Sequence, residues 1–302
     1  MTETVTATVT VTATITATKI AATASSWCSI ACYYLTNIES EPLLARHWTV
    51  AVIEPDEAND TLLMEVRKRS DLVLAYLNAG YAEEWRSYWD VVKDKPWIHG
   101  TTMYEGEYYV EYWHTEWRKI LVELATRYLA RGFQGIYLDN IDAAELLAIE
   151  RPSWAQGVDP REAMIDLVCN VSNAVKAVDP KAKVYLNIGG AVNLLYNDRL
   201  LGCIDGVLRE ELWSHPGPSG PEPQDPWETL AALDALAYAH SHGKTVLVAD
   251  PVNDLKEAWS FCVKAWSHGF IPVPQPAWAL DYSAPPPPVW CSCSTSMVKS
   301  NK

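Results

Sequence analysis

The sequence predicts an α/β protein with a (β/α)8 TIM-barrel fold, a single domain between two tails of biased composition. Three observations predict this class. Short apolar runs alternate with helical patterns along most of the 302 residues, the runs number eight, and carboxylates follow five of them. The competing class is an open, doubly wound sheet, which typically has a glycine-rich phosphate loop after one strand. None of the eight runs is followed by such a loop.

The eight apolar runs are interpreted as buried parallel strands, because each is short and several end abruptly at polar residues. The predicted strands, in chain order, are Cys32–Thr36, Thr49–Ile53, Leu72–Asn78, Gly135–Leu138, Val184–Asn187, Gly206–Arg209, Thr245–Ala249 and Ile271–Val273.

Helical patterns lie between these strands. The segment 161–178 follows Asp159-Pro160, which combines a helix N-cap residue with a first-turn proline. The segment 114–131 ends before Gly132, a residue typical of a helix C-terminus, and leads into the fourth strand. The full set of predicted helices is 58–69, 114–131, 161–178, 191–201, 227–242 and 254–267.

The chain ends have the composition of tails. Thr occupies every even position from Thr2 to Thr18, with neither the basic start nor the apolar block of a signal peptide. We therefore expect residues 1–26 to form a low-complexity tail. Four prolines, Pro285–Pro288, begin a second region of biased composition. The predicted organisation is a tail over 1–26, a barrel over 27–283 and a Pro-rich tail over 284–302.

Composition limits the class of partner. The formal net charge is −14, so nucleic acid is an unsuitable partner, whereas a cationic or neutral one suits the surface. No apolar run approaches the ~18 residues of a membrane span. The chain is expected to be a monomer.

The aromatic composition is unusual: the chain contains 14 Trp and 15 Tyr but 3 Phe, and many of these rings lie between the third and fourth strands. Trp and Tyr can stack on sugars while bonding hydroxyl groups, so we expect some of them to face a ligand.

The seven cysteines allow more than one interpretation. Closing a barrel brings its two ends together. One interpretation is therefore a disulfide that joins Cys28 or Cys32, near the N-terminus, to Cys291 or Cys293, near the C-terminus. Zinc is a weaker alternative, because the spacings differ from paired CxxC motifs. Cys169, Cys203 and Cys262 are expected to be buried and unpaired.

Polar side chains follow most of the predicted strands, where a TIM barrel places its chemistry. The stretch from Phe133 to Asp142, FQGIYLDNID, delivers Asp139, Asn140 and Asp142 to one strand end. Helix N-capping would explain any single acid, but a ring of acids predicts a site. The other strand-end candidates are Glu54, Asp56, Asn78, Glu83, Glu84, Asn187, Glu210, Glu211 and Asp250.

Paired carboxylates with aromatic platforms are what glycoside hydrolysis requires. One carboxyl protonates the leaving oxygen, and the other attacks the anomeric carbon or activates water. The chain has no GxSxG, HExxH or phosphate-loop motif, and its His residues form no convincing metal pair. Tyr81, Trp113 and Trp213 are candidate stacking walls, and Arg86 is a candidate for fixing a carboxylate or a sugar hydroxyl. No metal or organic cofactor is predicted.

Three segments together resemble glycoside hydrolase family 114, the endo-α-1,4-polygalactosaminidase-like barrels, and its bacterial and archaeal relatives. They are Tyr76–Trp89, Gly132–Asp142 with its YLDN core, and Asp205–Glu210 with its DG-x-x-x-E pattern. The resemblance extends over residues 27–282. It implies a (β/α)8 fold and cleavage within α-1,4-linked, galactosamine-rich polysaccharide, a partly cationic polymer.

The resemblance also implies a catalytic pair, Asp139 and Glu210, with Glu210 as general acid/base and Asp139 as nucleophile or base, or the reverse. It favours an extracellular or cell-surface location. Two alternatives stay open: a carbohydrate-binding barrel without turnover, and a hydrolase of a different α-linked glycan. The predicted substrate-binding residues are Glu54, Asn78, Tyr81, Arg86, Trp113, Asn140, Asp142, Asn187, Trp213 and Asp250.

Overall fold

A computed structural model describes residues 29–292 of the chain. Eight parallel strands form one sheet whose first and last members lie side by side, giving a nearly closed barrel. The predicted (β/α)8 fold and its eight strands are therefore confirmed. The strands, from first to eighth, are Ala31–Tyr34, Trp48–Ile53, Ser70–Asn78, Gly135–Asp139, Lys183–Asn187, Gly206–Glu210, Thr245–Val252 and Ile271–Pro276.

Helices connect the strands on the outside of the barrel. One predicted helix is wrong: residues 191–201 contain the 3-10 helix Val192–Tyr196 and a separate helix, Asp198–Cys203. The break occurs because the Asn197 side chain accepts the backbone N–H groups of Arg199 and Leu200 and so caps a new helix. The other helices are Ser40–Leu44, Asp60–Lys68, Trp89–Val92, Thr115–Arg131, Ala143–Glu150, Pro160–Val178, Pro226–Ser241 and Leu255–Ser267, with a 3-10 turn at Ser153–Ala155.

Two small antiparallel sheets lie in the connections and were not predicted. Strands Tyr81–Glu83, Ile98–Thr101 and Glu107–Val110 form one sheet between the third and fourth barrel strands. Ser214–Gly217 pairs with Gly220–Pro223 after the sixth strand. Each of these strands has only three or four residues, and the two hairpin strands contain three prolines, so apolar alternation gives no signal.

Two apolar layers alternate across every barrel strand. Side chains such as Tyr33, Leu74 and Tyr137 fill the barrel interior. Their strand neighbours, such as Ile136 and Leu138, pack outward against the helices in the larger core. Because successive residues of a strand point to opposite faces, this alternation decides which residue at a strand end faces the barrel axis.

The segment after the eighth strand differs from the prediction of a tail that begins at residue 284. Pro285, Pro286, Trp290 and Cys291 are buried, and the Arg46 guanidinium donates a hydrogen bond to the Trp290 carbonyl oxygen over 2.7 Å. The reason is that Cys291 forms a disulfide with Cys262 of the last helix. The chain therefore packs against the barrel to the end of the described segment.

A second disulfide joins Cys169 to Cys203, with Cα atoms 5.1 Å apart. The expectation of unpaired thiols at Cys169, Cys203 and Cys262 is therefore wrong. Neighbouring helices bring Cys169 to Cys203, and the C-terminal segment brings Cys291 to Cys262. Cys32 is a buried free thiol. Cys28, Cys293 and the tail predicted over 1–26 lie outside the described residues.

In the region that the structure describes, no helix is both long and apolar enough to span a membrane.

Candidate active site

Strand alternation points a group of polar residues into the mouth of the barrel. Each of three polar residues lies two positions after an interior residue and therefore on the same face of its strand. Asp139 follows Tyr137, Glu210 follows Leu208, and Asn187 follows Tyr185. Since the fourth, fifth and sixth strands are neighbours in the sheet, these three polar side chains meet above the interior core. The carboxyl ends of these strands therefore form one cluster.

The Asn187 side-chain amide bridges the two carboxyl groups. Its Nδ2 donates to Asp139 Oδ1 over 2.9 Å and to Glu210 Oε1 over 2.7 Å. Both oxygens lie close to one nitrogen, so they are separated by no more than the sum of these distances, about 5.6 Å. Asn187 accordingly fixes how the two carboxyl groups face each other.

Two tyrosines complete the surroundings of the pair. The Tyr76 hydroxyl donates to Asp139 Oδ2 over 2.8 Å, so both oxygens of Asp139 accept hydrogen bonds. Tyr282, which follows the eighth strand, bonds the Glu210 carboxyl. The pair is thereby linked to the third and fifth strands and to the C-terminal loop.

The two carboxyl groups differ in how strongly they hold a proton. Burial raises the pKa of Glu210 to about 8, and the nearby charge of Asp139 adds to the increase. Burial also raises the pKa of Asp139, but hydrogen bonds from Tyr76, the Asn140 backbone and Asn187 oppose that increase by stabilising its ionised form. At neutral pH, Glu210 is therefore suited to keep its proton, whereas the hydrogen-bond donors around Asp139 favour its ionised form.

The backbone turns sharply immediately after each of these acids. Asn140 follows Asp139 with φ of 59°, and Glu211 follows Glu210 with φ of 54°. Both lie in the left-handed region, which is uncommon for residues other than glycine and costs roughly 1 kcal/mol or more. At both strand ends, this backbone conformation ends the strand directly after the residue that carries the carboxyl group.

A buried ion cluster supports the site from the third strand. The Arg86 guanidinium binds both oxygens of Glu54, at 2.6 and 2.9 Å, and its Nε binds Glu83 at 2.5 Å. The side chains of Arg86, Glu54 and Glu83 are each less than 10 % exposed. The guanidinium also lies over the ring of Tyr76, 5.7 Å from its centroid. Arg86 therefore neutralises buried acids beneath the tyrosine that contacts Asp139.

Asn78 extends this cluster toward the cavity. Its Nδ2 donates to Glu83 Oε1 over 3.3 Å and to Glu107 Oε2 over 3.1 Å. Burial raises the pKa of Glu107 to about 7, and the charge of Glu83 adds to the effect. Glu107 belongs to the antiparallel sheet that the sequence did not predict, so its approach to Asn78 could not be foreseen.

A cavity of about 670 Å³ lies over the pair. It shares walls with one neighbour of about 520 Å³ beside Arg86 and Trp85, and with another of about 290 Å³ beside Gln275. The three spaces form a groove across the barrel mouth, with Asp139 and Glu210 in its middle part. The central cavity is lined by Tyr33, Leu35, Tyr76, Glu83, Trp85, Tyr104, Glu105, Glu107, Asp139, Asn140, Asp142, Asn187, Gly189, Arg209, Glu210, Glu211, Leu280, Asp281 and Tyr282.

The structure brings some predicted site residues to this groove. Asn140, Asp142 and Asn187 line the central cavity, and Glu54 and Arg86 border the wider arm. Burial raises the pKa of Asp142, which accepts the Gly190 backbone N–H over 3.2 Å. Gly189, with φ of 47°, packs directly against this carboxyl group, where a Cβ would collide with it. Asn78 is fully buried, and its side chain contacts Glu83 and Glu107, two residues that line the cavity.

Besides Glu54, Arg86 and Asn78, four other predicted residues do not line the central cavity. Trp113 stacks on Trp154, Trp213 lies under the Lys264 ammonium, and Tyr81 packs edge-on against Tyr109. Asp250 borders the smaller arm, but its oxygens accept the backbone N–H groups of Leu212, Trp213 and Ser214. Strand parity explains this position, because the interior residues of the seventh strand are Leu247 and Ala249, which leaves Asp250 on the opposite face.

Sequence reasoning missed several cavity residues. Trp85 and Tyr104 are 60 % and 65 % exposed at the rim of the groove. Both lie in the aromatic connection between the third and fourth strands, so their enrichment was visible, but their exposure depends on the small sheet. Tyr282 was missed because only the closed barrel brings the C-terminal loop to Glu210. Within residues 29–292, no group of three or more His, Cys, Asp and Glu side chains is arranged to hold a metal ion.

The barrel, its interior acid pair and its open groove define the class of TIM-barrel glycoside hydrolases. Residues 10–275 match the model of glycoside-hydrolase family GH114. The chain belongs to this family, and the resemblance inferred from its motifs is thereby confirmed.

Relatives of known sequence extend over most of the chain. An uncharacterised protein from Methanocaldococcus jannaschii is 28 % identical over 264 residues, which cover 80 % of this chain and 73 % of the relative. An uncharacterised protein from Thermotoga maritima is 27 % identical over 267 residues, covering 80 % and 78 % of the two chains.

Solved structures share the fold. The glycoside hydrolase domain of PelA from Pseudomonas aeruginosa has a TM-score of 0.68 at 16 % identity, covering 84 % of this chain and 96 % of that one. Ega3 from Aspergillus fumigatus, in complex with galactosamine, has a TM-score of 0.60 at 16 % identity, covering 83 % and 92 %.

Proposed function

We propose that this protein hydrolyses α-1,4-linked, galactosamine-rich polysaccharide at internal bonds, with Asp139 and Glu210 as its catalytic pair. The observation that carries the proposal is the shared Asn187 amide, which holds the two carboxyl groups face to face in the barrel mouth. Membership of family GH114 supports glycosidase activity.

The charge of the groove supports an amino-sugar substrate. Eight of the residues that line the central cavity are Asp or Glu. A polymer with free amino groups is cationic at neutral pH, so this surface attracts it and concentrates it at the site. The galactosamine bound to Ega3, a structural relative, agrees with this substrate class.

The first chemical step uses the different proton affinities of the pair. Protonated Glu210 donates its proton to the glycosidic oxygen, which leaves with the departing chain. Ionised Asp139 attacks the anomeric carbon and forms a covalent glycosyl ester. Asn187 and Tyr76 hold Asp139 in place through hydrogen bonds to its two oxygens.

The second step reverses these roles. Glu210, now ionised, removes a proton from water, and the resulting hydroxide attacks the anomeric carbon and releases Asp139. Two inversions at one carbon give net retention of configuration. Retaining glycosidases separate their carboxyl groups by about 5–5.5 Å, within the upper bound that Asn187 sets here.

The form of the groove supports cleavage within a chain. One arm is lined from the first three strands and the other from the sixth to eighth strands, so a polymer can pass over the pair instead of ending at it. Trp85 borders the wider arm and Tyr104 the narrower one. Exposed rings at these positions are available to stack on sugars on either side of the cleaved bond.

The test is hydrolysis of partly deacetylated α-1,4-galactosamine polymer, followed by the appearance of new reducing ends. Asp139→Asn and Glu210→Gln should each lower the rate by ~10³-fold, because each removes a group required in the transition state. The matched control is Glu123→Gln, a carboxylate that is 65 % exposed on the outer helix Thr115–Arg131. It should leave the rate unchanged.

Two results would count against the proposal. Hydrolysis that persists in both site variants would show that other residues perform the chemistry. A parent protein that binds the polymer without creating reducing ends would instead support the carbohydrate-binding barrel, in which the fold is kept without turnover.

A further inference from the structure

The basic side chain in the groove has an unusual environment. Among the described residues that line the central cavity, Arg209 is the single basic one, against eight carboxylates. It is half-buried, and its buried Nε has no hydrogen-bond partner in the described part of the chain. Other arginines near the barrel differ: Arg86, for example, is fully engaged by acidic partners.

The position of Arg209 follows from the sixth strand. It precedes Glu210 and therefore leaves the strand on the opposite face, away from the barrel axis, yet its side chain still borders the central cavity. The guanidinium is near enough to Asp142 to lower the pKa of that carboxyl, although burial outweighs this effect. No ion pair between Arg209 and Asp142 is formed within 4.0 Å.

A guanidinium accepts no hydrogen bonds and cannot lose its charge, so it requires oxygen acceptors. An unpaired, half-buried guanidinium is costly, and it is retained where an incoming group supplies those acceptors. An ammonium group of the substrate is repelled at this position. An acetamido carbonyl is a strong neutral acceptor, and a partly acetylated polymer offers it on some residues and an ammonium on others.

We propose that Arg209 is a specificity-determining residue that binds the carbonyl oxygen of an N-acetylated sugar beside the cleaved bond. The inference rests on the proposed function, whose substrate class it makes more specific. The carboxylates that line the central cavity accept sugars with free amino groups. The subsite at Arg209, Asp142 and Gly189 selects an N-acetylated sugar. The enzyme would then cut at positions that the acetylation pattern dictates.

The experiment compares two α-1,4-galactosamine polymers, one fully deacetylated and one fully N-acetylated. Arg209→Met removes the donors but keeps much of the apolar stem. It should lower kcat/KM on the acetylated polymer at least ~10-fold more than on the deacetylated one, since a hydrogen bond from a charged donor is lost. Arg209→Gln retains an N–H donor and should recover part of this preference. The matched control, Arg67→Met, replaces an exposed arginine on an outer helix and should change neither rate.

A second measurement is independent of turnover. Binding of N-acetylgalactosamine and galactosamine oligomers is measured in the Glu210→Gln background, with and without Arg209→Met. Selective loss of acetylated-oligomer binding supports the proposal. Equal losses on both oligomers, or no change, overturn it while leaving the proposed function intact. A parent that neither binds nor cleaves any of these polymers overturns both.

Discussion

Asp139 and Glu210 lie on the fourth and sixth strands, yet their carboxyl groups share a single hydrogen-bond donor. Asn187 of the intervening strand contacts them at 2.9 and 2.7 Å, which limits the separation of the contacted oxygens to about 5.6 Å. An inverting glycosidase needs about 6.5–9.5 Å between carboxyl groups to admit a water molecule. The contacted oxygens of this pair lie closer than that range and so favour the retaining arrangement.

The first prediction concerns the anomeric outcome. Hydrolysis of an α-linked polymer should release products that are α at the new reducing end, because double displacement retains configuration. Proton NMR during the first minutes, before mutarotation, measures the anomer. Initial release of the β anomer would contradict direct attack by Asp139.

The second prediction concerns the dependence of the rate on pH. Glu210 must be protonated to act as an acid, and its pKa is raised to about 8. The rate kcat/KM should therefore hold through neutral pH and fall as pH rises through about 8. Asp139 must be ionised, and its pKa is raised above the ordinary 3.8, so the acid limb should lie above that value.

The apparent pKa values in such a profile belong to Asp139 and Glu210 together, because the two groups titrate as a coupled pair. A profile that keeps rising above pH 9 would be inconsistent with a protonated Glu210. Asp142→Asn serves as a comparison, because it removes a nearby carboxyl group without removing either member of the pair.

The third prediction concerns stability. The unfolded chain releases the Glu210 proton near pH 4.5, whereas the folded protein keeps it to about pH 8. Between these values the folded state binds more protons, so this group makes the protein less stable as pH rises. Glu210→Gln removes the effect. Its thermal midpoint relative to the parent should increase from pH 5 to pH 8; a constant difference would contradict the raised pKa.

The fourth prediction concerns the buried ion cluster. Arg86→Met leaves Glu54 and Glu83 buried without their cation, which should lower the free energy of unfolding by about 3–5 kcal/mol. Urea unfolding measures the change. Activity should also fall, because the guanidinium packs over Tyr76, which positions Asp139.

Arg199 provides a matched control for this prediction. It also binds two carboxylates, Glu162 and Asp166, but its side chain is 49 % exposed. Arg199→Met should lower the free energy of unfolding by no more than about 1 kcal/mol, since exposed ion pairs contribute little. Equal losses in the two variants would show that burial is not what makes the Arg86 cluster important.

The fifth prediction concerns the disulfide between Cys262 and Cys291. It closes a loop with a sequence separation of 29 residues and attaches the C-terminal segment to the last helix. The double variant Cys262→Ala/Cys291→Ala should lose roughly 3–4 kcal/mol of unfolding free energy by the loop-entropy relation. Protease should then cut within residues 284–292 first. Unchanged unfolding and proteolysis would mean that packing of Trp290 suffices.

The fold was predictable because its signal is local. Eight apolar runs separated by capped helical patterns identify a barrel without reference to distant contacts, and each strand was found within a few residues of its bounds. The parallel order also predicted that Asp139, Asn187 and Glu210 would gather at the same end of the barrel. Period-2 alternation, applied to the seventh strand, would have placed Asp250 on the other face.

The remaining features depend on contacts between distant segments. Tertiary packing decides that Cys262 meets Cys291, that Glu107 meets Asn78 and that Tyr282 reaches Glu210, since the two members of each pair lie far apart in the sequence. The aromatic connection shows the same limit: composition predicted ligand-facing rings, but the small sheet exposes Trp85 and Tyr104 and buries Trp97 and Tyr112.

The sequence alone therefore determined the barrel, the family and the strand-end acids, because strand period, helix caps and short motifs are encoded over a few consecutive residues. Only the tertiary structure decided which of these acids share a cavity, how far apart they lie and which are neutralised. Those properties depend on burial and on distances between side chains from separate strands, and a proton affinity such as that of Glu210 changes with both.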